Sequence, residues 1–350
     1  MKMRKVIVFA AVTALAAGMM SGCGGSGQNK TSGSEVKAAV AEQQSGKKIT
    51  LKFAHSIPSD SVISKDIETF AEKVNERCDG RLEIQVFADS VMGDDDAVIE
   101  QIGRGSYMMN YVDPALLKDY CPDYAIMFAP YLYDDVSEIK ELAFSEFGED
   151  LAQKCADAGI TVLDNMSGYY GTRQTIATHS VADLSEMKGV KFRVPSTPLQ
   201  IEMVKAMGAS PTTVAFSEVY TALQQGVCDA MENPLSLIYA AKFQEVAKHV
   251  TMTSHIIAPD GIIISTDVYK SLDEDLQTIL KEEAVSFAEY TTEHVLADEE
   301  AIKEKMEAEG VEFHEADTEA FKEACQVVYT KFPEWSEGLY DRAKKALGHE

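Results

Sequence analysis

Residues 49–89 read ITLKFAHSIPSDSVISKDIETFAEKVNERCDGRLEIQVFAD and contain the pattern of a strand, a helix and a second strand. The segment from Asp60 to Cys78 predicts a helix because its apolar residues recur at helical spacing. These residues are Ile63, Ile67, Phe70 and Val74. Apolar and polar residues then alternate from Leu82 onward, as they do in a half-buried strand. A strand, helix, strand order predicts an α/β fold with parallel sheets covered on both faces.

The same alternation continues along the chain. A helix is predicted around residues 95–102, followed by the strand YMMNYVD. Further on, the extended segments GITVLDN, GTRQTIATHS and GVKFRVP alternate with helical segments at residues 197–207 and 217–225. The segment HIIAPDGIIISTDVY predicts one or two long strands. Residues 273–309 have a helical composition throughout, and a helix of that length spans roughly 50 Å, enough to brace two lobes.

The charge balance limits the possible partners. The chain has 350 residues, with 32 basic and 57 acidic side chains and a formal charge of −25. A surface this acidic repels phosphate-bearing polymers and anionic lipid surfaces, which argues against a nucleic-acid partner. A small anion in a cleft is not excluded, because salt screens distant carboxylates over about 8 Å.

The first residues have the pattern of an export signal. Lys2, Arg4 and Lys5 precede the apolar stretch 6–20, which suits a signal peptide covering residues 1–22. The run MSGC that ends at Cys23 resembles the lipobox of bacterial lipoproteins, in which the cysteine is lipidated. An ordinary signal peptide with an incidental cysteine is the alternative. Residues 23–46 then form a lipidated cysteine and a flexible tether, so the protein is expected to work outside the cytoplasm.

Enzyme and metal motifs are absent from the sequence. It contains no HExxH, GxSxG or P-loop pattern, and the five cysteines after Cys23 show no zinc spacing. The run from Asp94 to Asp96 stands where a helix is predicted to begin, and acidic caps explain it better than calcium does. We therefore expect no catalytic residue, no bound metal and no cofactor.

Two arginines lack an acidic neighbour in sequence. Arg173 lies in GYYGTRQ and Arg193 in KFRVP, both extended segments close to a turn. A guanidinium is planar and permanently charged, and it binds a carboxylate through two parallel hydrogen bonds. The partner of each arginine is therefore either a distant Asp or Glu of the chain or a carboxylate from outside.

The run from GTRQT through GVKFRVP, GASPTTVAFSEVYTALQQGVCDAMENP and KFQEVAKHV resembles the solute-binding subunit of TRAP transporters, the tripartite ATP-independent periplasmic family of dicarboxylate-binding (DctP) type. The resemblance extends upstream to LKFAH, GRLEIQVFADSVMGDDD and FAPYLY. It therefore covers nearly the whole chain after the tether.

The resemblance implies roles for particular residues. In that family the arginine of the RVP motif forms the main salt bridge with the substrate carboxylate, which implies this role for Arg193. The arginine of the GTRQ segment supports the same anion, which implies Arg173. The asparagine of ENP corresponds to Asn233, and Phe216 is expected to pack on the apolar face of the ligand. On this interpretation the missing partner of both arginines is the substrate.

Other positions bear on which acid is bound. Ser56, Asp95 and Asp113 align with ligand contacts of sialic-acid-binding members. The chain departs from that pattern at three positions, which makes sialic acid a poor candidate: Ser56 and Ser196 stand where asparagine is typical, and Leu116 replaces a basic residue. Polar groups at His55, Ser56, Asp113 and Tyr170 suit a hydroxylated ligand.

A sugar acid such as a hexuronate or aldonate is therefore expected first, and a C4-dicarboxylate second. Asp113 favours the hydroxylated ligand because it repels a second carboxylate.

The implied fold has two α/β lobes around a cleft, as in periplasmic binding proteins, with the long helix spanning both. Lobe one is expected to take residues 47–170 and 259–298, and lobe two residues 171–258 and 299–350. The closed form would deliver its ligand to a membrane permease with one small and one large subunit. An extracellular enzyme acting on acidic sugars and a ligand sensor feeding a membrane kinase are the competing classes.

Overall fold

The structure is a computed structural model that describes residues 48–349. The predicted signal peptide, the lipidation site Cys23 and the tether lie outside these residues. Within the described part of the chain, no helix combines the length and the apolar composition that a membrane span requires.

Ten strands and eleven α-helices are found between residues 48 and 349. The strands are β1 (Ile49–Ala54), β2 (Leu82–Phe87), β3 (Met108–Val112), β4 (Ile160–Val162), β5 (Gly168–Ala177), β6 (Lys191–Val194), β7 (Ser210–Thr213), β8 (Ala230–Pro234), β9 (His249–Ser265) and β10 (Glu312–Glu315). The helices are α1 (Val62–Arg77), α2 (Asp95–Gly103), α3 (Ser137–Ala143), α4 (Glu146–Asp157), α5 (Pro198–Ala206), α6 (Val219–Gln224), α7 (Leu235–Ala240), α8 (Thr266–Ser271), α9 (Glu274–Ala308), α10 (Thr318–Cys325) and α11 (Leu339–Ala346).

The strands form two sheets that share β9. In the first sheet, β1 runs parallel to β2 and β3, while β3 and β4 run antiparallel to the end of β9. In the second sheet, β6 runs parallel to β7 and β8, and β5 lies antiparallel between β8 and β9, with β10 parallel to β9 on its other edge. The predicted α/β fold is confirmed, but the sheets are mixed rather than parallel because β9 returns through both of them.

Local sequence explains where the first helices begin. Ser61 caps α1 by accepting a hydrogen bond from the amide of Ser64, and the predicted apolar face of this helix is buried. Asp94 caps α2 in the same way, accepting from the amide of Ala97 at 3.0 Å. The three consecutive aspartates therefore mark a helix N-terminus, as the sequence predicts.

The long helix is continuous. Helix α9 has 35 residues and packs against α1, α7 and β5, so it contacts elements associated with both sheets. Its buried Phe287 meets Phe70 of α1 edge to face, with ring centroids 5.9 Å apart. The predicted helix that braces the two halves of the fold is confirmed.

The ladder between β5 and β9 is interrupted near its middle. Arg173 pairs with Ile256, but Thr175 pairs with Thr251, so residues 252–255 fall outside the regular register. Ser254 in this bulge has a φ of 43°, in the left-handed region. The bulge turns His255 toward β8 and the site described next.

Candidate functional site

A cavity of about 290 Å³ lies between the two sheets. Several of its lining residues follow directly after strands: Asp113 follows β3, Pro195 follows β6 and Val214 follows β7. In α/β proteins the carboxyl ends of strands are the usual place for a ligand, because loops and helix starts converge there.

Eight of the nine ligand-binding residues predicted from sequence line this cavity. They are Ser56, Asp95, Asp113, Tyr170, Arg173, Arg193, Phe216 and Asn233. His55 does not line it. Its ring lies edge-on to Phe53, with centroids 6.3 Å apart, and burial lowers its pKa to about 4. Neighbouring side chains of an extended segment point to opposite sides, so His55 turns inward where Ser56 turns to the cavity.

Arg173 has an internal partner, Glu232. Its Nε and Nη2 atoms both donate to the Glu232 carboxylate, with Nη2 to Oε1 at 2.8 Å. Nη2 also donates to the Glu232 carbonyl oxygen at 3.1 Å. Of the two partners that the sequence leaves open for this arginine, the internal one is present: a carboxylate 59 residues away pairs with it across the β5 and β8 ladder.

Glu232 lies at the centre of a buried network. Gln200 donates to its Oε1 at 3.0 Å, and Nε2 of His255 lies 3.3 Å from its Oε2. Burial alone would raise the pKa of Glu232, but the charge and hydrogen bonds of Arg173, aided by His255, lower it to about 2. Glu232 therefore stays charged and holds the Arg173 guanidinium at the cavity wall.

Arg193 has no such partner. It is buried, and its Nε donates to the carbonyl oxygen of Val214 at 2.9 Å. Among the described residues, no carboxylate forms an ion pair with it. Its guanidinium carbon lies 6.0 Å from the centre of the Phe216 ring. Burial lowers the pKa of Arg193 to about 10, so the group is still cationic at neutral pH.

Two neighbouring residues of strand β8 have different roles in the site. Asn233 follows Glu232 and lines the cavity, where its buried Oδ1 has no partner among the described residues.

The adjacent strand β5 comes very close to β8 at Gly171. The φ of Gly171 is +131°, and a Cβ added there would lie 2.5 Å from the Cβ of Pro234. Glycine is required at this point for the sheet to close beside the site.

The first sheet contributes carboxyl groups to the cavity. Asp95 accepts from the Ser56 hydroxyl at 2.5 Å and from the Asn110 amide at 3.2 Å. Asp113 accepts from the backbone amides of Ala115 and Leu116, and burial raises its pKa to about 6.

Asp260 of β9 and Tyr111 of β3 also line the cavity, and sequence analysis missed both. The only available signal for Asp260 is an acid inside a segment that is otherwise apolar, APDGIIIS.

A polar contact joins the start of α2 to the loop after β6. Asp96 accepts hydrogen bonds from Lys118, at 2.7 Å, and from the hydroxyl of Ser196. Lys118 also donates to the Ser196 hydroxyl at 3.1 Å. Ser196 is one of the positions at which the sequence departs from the sialic-acid pattern, and here it links the two sides of the cavity.

The two sheets, the cavity between them and the buried guanidinium on its wall define a solute-binding protein. Residues 53–334 match the model for bacterial extracellular solute-binding protein, family 7 (DctP). This chain belongs to that family, which is a family of transport proteins that work outside the cytoplasm together with TRAP membrane subunits. The predictions of family and of extracytoplasmic location are therefore confirmed.

Individual proteins show how far the similarity extends. The sialic acid-binding periplasmic protein SiaP of Vibrio cholerae is 29% identical over 284 residues, covering 81% of this chain and 88% of its own. A TRAP periplasmic solute-binding protein of Actinobacillus succinogenes, solved with bound L-galactonate, has a TM-score of 0.82 at 28% identity and covers 85% of this chain and 99% of its own. One of Desulfovibrio salexigens, solved with diglycerolphosphate, has a TM-score of 0.83 at 29% identity and covers 86% and 97%.

Proposed function

We propose that this protein captures a small hydroxylated acid, a sugar acid such as a hexuronate or aldonate, and delivers it to a TRAP-type permease. Arg193 carries the proposal, because it is a buried guanidinium that faces the cavity and has no carboxylate partner within residues 48–349. A cation in such a place is costly unless an anion joins it. The ligand carboxylate would supply that anion, with Asn233 and Arg173 beside it and Phe216 against its apolar face.

The rest of the lining supports hydroxyl groups on the ligand. Ser56, Asp95 and Asp113 offer acceptors on the side of the first sheet. The solved relatives from Actinobacillus succinogenes and Desulfovibrio salexigens both hold acids that carry hydroxyl groups. A C4-dicarboxylate fits less well, because Glu232 already neutralises Arg173 and leaves one uncommitted arginine for two carboxylates.

The same proposal includes a closing motion. Lobe one would comprise residues 47–170 and 259–298, and lobe two residues 171–258 and 299–350, with the cavity between them. The ligand would meet Arg193 in an open form, and contacts from lobe one would then favour the closed form by their greater affinity for it. The hydrogen bonds of Ser196 with Asp96 and Lys118 would help to hold the closed form, since they join lobe two to lobe one across the cavity.

Anchoring at Cys23 is also proposed, from sequence alone. Cys23→Ser should release the exported protein from membranes into the soluble fraction. Retention of that variant on the membrane would contradict lipidation at this residue.

A thermal-shift screen tests the proposed ligand class. The panel comprises hexuronates, aldonates, glycerol phosphates, C4-dicarboxylates, sialic acid and the uncharged sugars that correspond to the acids. A ligand present at a hundred times its Kd stabilises the native state by about 2.7 kcal/mol, which raises Tm by several degrees. A shift confined to hydroxylated acids is expected. No shift with any acid, or equal shifts with neutral sugars, would contradict the proposal.

The Arg193→Ala variant tests the carboxylate site itself. Losing this charged hydrogen-bonding partner should weaken binding at least about 30-fold. Isothermal titration calorimetry with the acid that gives the largest shift measures the loss. Unchanged affinity would place the carboxylate elsewhere.

A further inference from the structure

The strand β9 brings an aspartate into the cavity at a place where an acid is costly. Asp260 is 4% exposed, and its neighbours along the strand are mostly apolar. Its Oδ1 atom is buried and has no hydrogen-bond partner among the described residues. An unsatisfied buried polar group destabilises a folded protein, so the unliganded protein carries a cost at this position that folding alone does not explain.

A second unsatisfied group lines the same part of the cavity. The hydroxyl of Tyr111 is buried without a partner among the described residues, and its side chain is 3% exposed. Asp113 lies two residues further along the chain, and its Oδ1 already accepts two backbone amides. The Tyr111 and Tyr170 rings lie 6.2 Å apart between centroids and complete this wall.

The hydrogen-bonding capacity of the two free groups is specific. A carboxylate oxygen accepts, whereas a phenol hydroxyl can donate. A ligand hydroxyl can satisfy both at once because it donates one hydrogen bond and accepts another. When Asp260 is ionised, an ammonium group, which can only donate, and a carboxylate, which can only accept, each satisfy only one of the two groups.

The charges of the cavity lining also disfavour a second carboxylate on the ligand. Glu232 pairs with Arg173, and Lys118, which is not part of the lining, is paired with Asp96. Once a carboxylate occupies Arg193, no uncommitted cation of the described lining remains for a second one. A second carboxylate near Asp260 would instead face Asp113 and Asp95.

We propose that Asp260 and Tyr111, with Asp113 beside them, form a hydroxyl-recognition subsite that binds the hydroxyl remote from the ligand carboxylate and rejects a carboxylate at that position. This inference rests on the proposed function in one respect, the anchoring of the ligand carboxylate at Arg193. It adds that the ligand carries a single carboxylate and names the residues that select against a second one.

Aldonates and aldarates of the same carbon chain provide the test. L-Galactonate and D-gluconate end in a hydroxyl where galactarate and D-glucarate carry a second carboxylate, and the pairs otherwise match. At alkaline pH, where Asp260 is ionised, titration calorimetry with wild-type protein should show at least about tenfold tighter binding of the aldonate, since the aldarate loses a hydrogen bond and gains repulsion. Equal affinities for the two members of a pair would overturn the inference.

Three variants separate the roles of the groups. Tyr111→Phe removes only the donor and should weaken aldonate binding about tenfold while leaving aldarate binding unchanged. Asp260→Asn keeps an acceptor but can no longer ionise, so it should narrow the preference over the aldarate by about tenfold at alkaline pH, where Asp260, whose pKa burial raises, is ionised in the wild type. Asp164→Asn is the control. Asp164 is also buried, but its carboxylate is held by the amides of Met166 and Ile262 and it lies outside the lining, so its replacement should leave the preference unchanged.

The empty protein supplies a readout that needs no ligand. If Asp260 is kept for a ligand hydroxyl, Asp260→Asn should raise the Tm of the unliganded protein or leave it unchanged. A fall of several degrees would show that the carboxyl is a structural group and would overturn the inference. Failure of the proposed function looks different: in that case no acid binds, or binding survives Arg193→Ala.

Discussion

At the scale of single residues, the two arginines of the cavity have different roles. Arg173 donates to Glu232 from Nε and Nη2, on one edge of its guanidinium, and both side chains are almost completely buried. Arg193 makes one hydrogen bond to a backbone carbonyl and has no acidic partner among the described residues. Arg173 therefore belongs to the framework of the site, whereas Arg193 remains available to a ligand.

This difference predicts opposite effects on the empty protein. Arg173→Ala should lower the free energy of unfolding by about 3–5 kcal/mol, because it leaves the buried charge of Glu232 without its partner. Arg193→Ala should change it by less than about 1 kcal/mol, because it leaves no charged partner behind, only the Val214 carbonyl oxygen. Urea denaturation of the two unliganded variants measures both values. A double variant, Arg173→Gln with Glu232→Gln, is the control and should be less destabilised than Arg173→Ala. Equal losses of unfolding free energy in Arg173→Ala and Arg193→Ala would contradict these separate roles.

A second prediction at this scale concerns pH. Burial raises the pKa of Asp164 to about 7, whereas the unfolded chain loses this proton near pH 4. The native state therefore binds more protons than the unfolded state in the window from pH 6.5 to 8, and its stability falls as the pH rises through it. Asp113 and Asp260 act in the same direction, since burial also raises their pKa values.

The Tm of the empty protein should accordingly fall between pH 6.5 and 8, and Asp164→Asn should reduce the slope. The lowered pKa of His55 has its effect below pH 6.5 and does not mask this trend. A Tm that rises with pH across the window, or an unchanged slope in the variant, would contradict the assignment.

The sequence predicts the cavity residues that lie in recognisable motifs and misses those defined by pairing. Arg193, Phe216 and Asn233 belong to segments whose order along the chain resembles a known family. Glu232 stands beside Asn233, yet its role depends on the register of β5 against β8, which local sequence does not specify. Asp260 was missed for the same reason, because only the path of β9 brings it to the cavity.

At the scale of elements, the close contact of β5 with β8 at Gly171 is a strict requirement. Gly171→Ala combines a positive φ with a clash against Pro234. Gly105→Ala is a matched control, because Gly105 has a φ of +84° and nothing within 4 Å of an added Cβ. We expect Gly105→Ala to lower the free energy of unfolding by about 1 kcal/mol and Gly171→Ala to lower it by several kcal/mol. Gly171→Ala should also weaken ligand binding, because Tyr170 and Arg173 flank the position. Chemical denaturation and calorimetry of the two variants would show the difference, and equal losses would contradict it.

Helices and strands were predictable to different degrees. The capping serine and the apolar spacing of α1 define that helix locally, and the composition of residues 273–309 is enough to predict α9. The segment that contains β9 predicts one or two strands, and the structure has a single strand of 17 residues. Its division between two sheets depends on partners more than 60 residues away, which local patterns cannot supply.

At the scale of the whole molecule, the contact of Asp96 with Lys118 and Ser196 should stabilise the closed form. Asp96 and Lys118 both belong to the proposed lobe one, so only their hydrogen bonds to Ser196 cross between the lobes, and each such bond contributes about 0.5–1.5 kcal/mol. Lys118→Met should therefore weaken the binding of every ligand two- to fivefold, without changing which acid is preferred. Titration calorimetry measures the affinity, and small-angle X-ray scattering of the liganded variant reports the fraction that is open. A selective loss of one acid would show instead that Lys118 contacts the ligand.

The shared strand also determines when the molecule can fold. The first sheet takes its edge strands from the beginning of the described chain, but β9, which ends at Ser265, joins both sheets. A chain that emerges with its N-terminus first can complete neither sheet until residue 265 of 350 has appeared. Contacts between such distant segments form late and slowly. We therefore expect the chain to gain its native fold late, after most of it has emerged, which suits a protein that works outside the cytoplasm.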